Sequence, residues 1–185
     1  MNDDDLIALA TDLEGHPDNV AAATLGGGTV AWMENRAGVP TGCGSKFAVD
    51  QSIRALLFLP KTQLATGKAR KMLPEVISHS EATINSGRAA LLVHALSTRP
   101  DLLFAATEDH IHQSYRSEAM PRSMDLVKKL RSAGVAAMIS GAGPSVLVLH
   151  SSTTAEHDDM VRFAGEYFTP MDLELSPFGT QLSNA

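Results

Sequence analysis

The chain has 185 residues, 44% of them hydrophobic and 19% charged, with a formal net charge of −6. That balance supports a buried core of about one domain or slightly more and excludes wholesale disorder. The negative charge with no basic face argues against nucleic acid as a partner, and no apolar run approaches the roughly 18 residues a membrane helix needs.

The start, Met1-Asn2-Asp3-Asp4-Asp5, is acidic where a signal peptide would be basic, and Cys43 is the one cysteine, so no internal disulfide can form. Both features lead us to expect a cytoplasmic protein. Leu6 to Leu13 reads as a short helix leading into Glu14-Gly15-His16-Pro17-Asp18-Asn19. Val20 to Leu25 is small and apolar, Gly26-Gly27-Gly28 breaks the pattern, and Thr29 to Met33 reads as a strand. Glu34 to Lys46, rich in Gly and Pro, reads as a loop or hairpin tip. Ile53 to Leu59 is an apolar strand stopped by Pro60, and Lys61 to Met72 contains a short helix.

Ser78-His79-Ser80-Glu81 is a capping box opening a helix to about Ser97, with Ala89, Leu92, Val93 and Leu96 spaced to face a core. Asp101 to Thr107 is a helical turn, and Ser123 to Arg131 is a helix with Leu126, Val127 and Leu130 inward, ended by Gly134. Val135 to Ile139 and Val146 to Leu149 are strands. Thr153-Thr154-Ala155-Glu156 caps a helix to about Tyr167, and Met171 to Leu175 is a last strand. From Ile53 onward this order predicts an α+β sandwich with helices on one side of an antiparallel sheet.

Several motifs are absent. Gly67-Lys68-Ala69 lacks the first glycine and the hydroxyl of a Gly-x-x-x-x-Gly-Lys-Ser/Thr loop, and Val146 stands where a dinucleotide fingerprint needs its third glycine. The seven histidines show no zinc-ligand spacing, and His110 and His112 read as surface or helix residues. The Glu14–Asn19 string gathers two carboxylates, an imidazole and an amide within six residues. It reads either as a site or as a capped turn, with Pro17 at a bend and Asp18 or Asn19 capping the next helix. Ser140-Gly141-Ala142-Gly143-Pro144-Ser145 joins two strands, and reads either as a tight turn or as backbone amides that can hold an anion. Arg70 and Arg116 are guanidinium groups suited to carboxylates or phosphates.

Taken together, these strings resemble the homoserine kinases of the GHMP small-molecule kinase family, in order and rough spacing, from about Leu6 to Leu149. The resemblance implies transfer of the terminal phosphoryl of ATP to the side-chain hydroxyl of L-homoserine. It implies that His16, Asp18 and Asn19 line the substrate site and that Arg70 and Arg116 hold the carboxylate, with Asn19 and Arg116 closest to catalysis. It further implies Glu14 as a Mg2+ ligand, and Ser140, Gly141, Gly143 and Ser145 as the loop supporting substrate and phosphate. The implied fold is the tail of a ribosomal-S5-like lobe, residues 1–52, followed by a ferredoxin-like C-terminal lobe, residues 53–185. The expected cofactors are ATP and Mg2+. L-homoserine is the expected small-molecule partner and a homodimer the expected assembly, with neither nucleic acid nor membrane involved. The family's front section carries a Pro-x-x-x-Gly-Leu-Gly-Ser-Ser-Ala type loop around the ATP phosphates, and nothing like it occurs in these residues, so the chain reads as a C-terminal portion. The alternatives are a non-catalytic binding module of the same fold, or a GHMP kinase acting on mevalonate or a sugar.

Overall fold

The computed structural model describes residues 2–62, 72–151 and 153–180. The helix predicted within Lys61 to Met72 therefore lies outside the described residues. The chain divides into two compact units, Met1–Val49 with the segment from Leu175 onward, and Asp50–Glu174.

In the first unit, α1 (Asp3–Glu14) starts at a capping box in which Asn2 takes the Asp5 amide and the Asp5 carboxylate takes the Asn2 amide. It stops at Gly15, whose φ of 82° is the left-handed conformation a helix C-terminus favours. α2 (Pro17–Leu25) follows at once, with proline in its first turn, where the missing N–H costs nothing. A two-stranded antiparallel hairpin completes the unit, β1 (Gly28–Arg36) and β2 (Val39–Phe47).

β2 corrects the expectation that Glu34 to Lys46 is a loop or hairpin tip: a hairpin does turn here, but its tip is confined to Ala37 and Gly38 and the rest is strand. A Cβ on Gly42 would lie 2.1 Å from Thr11 Oγ1, and one on Gly44 would lie 2.8 Å from the Ala21 Cβ. The glycines are there because α1 and α2 press directly on the strand, a close approach that any side chain would block. Ile7 and Ala21 are fully buried beneath that contact. The chain's end returns to this unit, where Gly27 N–H donates to the Ser176 carbonyl at 2.8 Å and Thr180 N–H to the Ala23 carbonyl at 2.8 Å.

The second unit contains β3 (Arg54–Pro60), α3 (His79–Thr98), a 3-10 turn (Pro100–Leu102) running into α4 (Leu103–Ala106), and α5 (Pro121–Ser132). β4 (Ala137–Ile139), β5 (Val146–His150), α6 (Thr154–Arg162) and β6 (Phe168–Leu173) complete it. The strand order is β4-β5-β3-β6, every pair antiparallel. This is the ferredoxin-like arrangement. Leu56 and Phe58 of β3, Val146 and Val148 of β5, and Leu126, Val127 and Leu130 of α5 form its core with Met160 of α6. Phe168 closes it, edge-on to Phe58 at 6.5 Å.

Two helix expectations need correction. On α3, Ala89 is exposed and Ala95 is the buried residue, because the inward stripe runs through Asn85, Arg88 and Leu92, mixing polar residues with apolar ones. α6 ends at Arg162, short of Tyr167, and the last strand begins earlier, at Phe168.

Candidate functional site

The α1–α2 turn presents the first group of candidate residues. Glu14 is the last residue of α1, with an exposed side chain. His16 occupies the N-cap position of α2 in extended conformation but makes no side-chain cap. Its Nδ1 lies 3.3 Å from Asp18 Oδ1, and that same oxygen accepts the Asn19 amide at 2.8 Å. Asp18 therefore satisfies an amide of the first turn from inside the helix, and Asn19 caps nothing. His16, Asp18 and Asn19 are exposed at a helix N-terminus, where backbone amides and the helix dipole favour an anion. Among the described residues no three His, Cys, Asp or Glu side chains are grouped as a metal site.

Arg116 and the 140–145 loop make the second group, in the other unit. Arg116 is a buried charged residue, 8% exposed. Its Nη1 reaches the Gly141 carbonyl at 3.5 Å. The loop is the β4–β5 hairpin connection, closed by Ser140 N–H on the Ser145 carbonyl and Gly143 N–H on the Ser140 carbonyl, both at 2.9 Å. Its glycines differ in role. A Cβ on Gly143 would lie 2.6 Å from Met120 Sδ, so Gly143 is held by packing, whereas Gly141, with φ 56°, faces open space. Ser123, 2% exposed at the start of α5, donates to the Pro144 carbonyl at 2.5 Å and anchors the loop from beneath. Arg70 lies outside the described residues.

The sequence did not single out the segment that carries Arg116 into place. Glu108 is its hub, 2.6 Å from Arg88, 3.7 Å from Arg131 and 3.8 Å from His110. Asp109 Oδ2 accepts the His112 and Gln113 amides at 2.9 and 2.5 Å, and its Oδ1 lies 2.7 Å from His112 Nδ1. Burial raises the Asp109 carboxyl, but these bonds outweigh it and hold the group below the ordinary carboxylate range. His112, which read with His110 as a surface or helix residue, is partly exposed and a partner of Asp109. A carboxylate three and four residues before a His-Gln pair was the available signal.

Cys43 is buried on β2 with Arg36 Nη2 donating to its sulfur at 3.2 Å. Burial pushes its thiol up, the opposite of what a nucleophile needs. A cavity of about 560 Å³ lies at the other end of β4 and β5 from the glycine loop, lined by Leu103, Phe104, Val135, His150, Met160 and Phe163. It includes none of the predicted site residues.

Comparison with known proteins defines the class first. Residues 88–159 match the family described as GHMP kinases C terminal, and this stretch holds Arg116 and the whole 140–145 loop. The solved homoserine kinase from Cytophaga hutchinsonii superposes with a TM-score of 0.74 at 26% identity, covering 94% of this chain and 57% of that one. A solved structure from Listeria monocytogenes, 22% identical with a TM-score of 0.74, shares the fold. Over residues 88–159 the chain is thus similar to the C-terminal part of GHMP kinases.

Within that family the similarity runs to homoserine kinases. The Streptomyces avermitilis protein of that name is 46% identical over 98% of this chain and 58% of its own length. The Mycobacterium leprae one is 45% identical over 88% and 50%. The chain spans about half the length of the curated relatives it matches.

Proposed function

We propose that these residues form the C-terminal part of an ATP-dependent homoserine kinase, which transfers the terminal phosphoryl of ATP to the side-chain hydroxyl of L-homoserine. The observation that carries the reading is Arg116, a buried guanidinium whose Nη1 reaches the Gly141 carbonyl of the glycine loop, in a chain 46% identical to a homoserine kinase. Homoserine is zwitterionic, so its site needs a cation for the carboxylate and acceptors for the ammonium. Arg116 of the second unit is a cation of the first kind, as is Arg70, and within the first unit Asp18 and Asn19, with His16 beside them, carry oxygens of the second kind. Gly141, with its neighbours Ser140, Gly143 and Ser145, lets the substrate approach the backbone closely.

Phosphoryl transfer depends on positioning and on neutralising charge more than on covalent help from the protein. The exposed start of α2 suits a phosphate, and Glu14 suits Mg2+, which keeps several waters and takes its other ligands from one or two carboxylates and substrate phosphates. When bound, ATP supplies the phosphoryl group and Mg2+ the counter-charge. In this reading the first unit is the tail of the ribosomal-S5-like lobe and the second is the C-terminal lobe.

Incubating the full-length protein with ATP, Mg2+ and L-homoserine tests the reading by phosphorus NMR. The expected result is a new phosphomonoester that co-resonates with O-phospho-L-homoserine. Phosphorylation of mevalonate or a sugar in its place, or of nothing, would contradict it.

A further inference from the structure

Among the described residues β4 is the terminal strand of its sheet and pairs only with β5. Its outer edge is closed by side chains. The Ile139 amide donates to Gln113 Oε1 at 2.7 Å, and the Ala137 carbonyl accepts from Arg131 Nη1 at 3.3 Å. Such capping hides an edge that would otherwise template another strand.

The position of the first bond gives it a second consequence. Ile139 is the last residue of β4, and Ser140 opens the glycine loop. Gln113 precedes Arg116 by three residues in a turn whose Arg116 N–H donates to the His112 carbonyl at 3.3 Å. Asp109 holds the same turn from behind through the His112 and Gln113 amides. One side-chain amide thus ties the segment bearing Arg116 to the strand that delivers the loop.

We propose that Gln113 is a positioning residue: by accepting the Ile139 amide, with Asp109 fixing the turn behind it, it sets the spacing between Arg116 and the 140–145 loop and so shapes the seat for the substrate's carboxylate. The proposal rests on reading Arg116 as the carboxylate-binding arginine. Gln113 does not touch the reacting atoms and acts through Arg116. It is only half-buried, so replacing it spares the core.

Two substitutions separate this role from a merely structural one. Gln113→Met keeps length and removes the acceptor, while Gln113→Glu keeps an acceptor at the same reach. In the 185-residue chain, amide exchange at Ile139 should speed up about fivefold in Gln113→Met, the loss of one ordinary hydrogen bond, and stay slow in Gln113→Glu. In the full-length protein, Gln113→Met should raise the KM for homoserine by roughly fivefold to tenfold with the KM for ATP within about twofold. Equal Ile139 exchange in the two variants would overturn the proposal. So would fast exchange with an unchanged homoserine KM, or homoserine and ATP constants rising together. Should the wild-type protein phosphorylate a different substrate, the functional reading fails on that result alone, and the exchange comparison with the KM for the substrate in use still decides the role of Gln113.

Discussion

Two roles are proposed for Asn19, substrate contact and helix cap, and its place in α2 does not fit the second. It sits two residues inside the helix, its own amide bonded to Asp18, and its side chain exposed. Asn19→Ala should therefore leave the melting temperature unchanged, where loss of a cap would cost about 1 kcal/mol. In the full-length protein the same change should lower kcat/KM for homoserine. Asn19→Asp should be nearly as damaging, because it loses the donor and adds negative charge near phosphate. A lowered melting point with normal turnover would return Asn19 to a capping role.

Asp109 makes a pH-dependent prediction. Its folded carboxyl is held below the ordinary value. It therefore stabilises the fold above the unfolded pKa of about 4, and that contribution is lost as pH falls through the lower folded value. Asp109→Asn should be less stable than wild type at pH 7, and the difference should shrink below about pH 4. Urea melts of both proteins at pH 7 and at pH 3 check this, and a gap that stays constant with pH would contradict it.

At the scale of elements, glycines in similar surroundings by sequence behave in opposite ways. Gly42 lies in β2 against Thr11, with 2.1 Å for a Cβ. Gly42→Ala should destabilise the first unit by roughly 1–3 kcal/mol, the cost of forcing apart a packed contact. Gly87 lies in α3 with nothing within 4 Å of a Cβ. Gly87→Ala should stabilise by about 0.5–1 kcal/mol through helix propensity. Circular-dichroism melts of the two variants check both signs.

The same pair shows what the sequence could reveal. The capping boxes at Ser78 and Thr153 and the apolar stripe of α5 are local, and they placed helix starts and a buried face correctly. β2 was illegible because Pro40, Gly42 and Gly44 erase the alternation a strand is recognised by. Their reason lies in α1 and α2, brought against the strand only by folding. Ala89 misled in the other direction, since its spacing is regular while the stripe that turns inward includes Asn85 and Arg88.

For the whole molecule, the strings that carried the resemblance fall into both compact units, with the α1–α2 turn in one and Arg116 with the glycine loop in the other. Order along the chain revealed these groups, because each is a short contiguous string. The supports were not legible. Gln113, Ser123 and Asp109 touch the loop or the Arg116 segment across 26, 21 and 3–4 residues, and none belongs to a motif.

Arg116 is where fold, family and proposed chemistry meet, and one kinetic comparison tests it most directly. Arg116→Ala in the full-length protein removes a charge-assisted contact of about 1.5–3 kcal/mol. Steady-state kinetics with each substrate varied in turn should show the homoserine KM raised roughly tenfold to a hundredfold and the ATP KM nearly unchanged. A change confined to the ATP constant, or no change in either, would contradict the account.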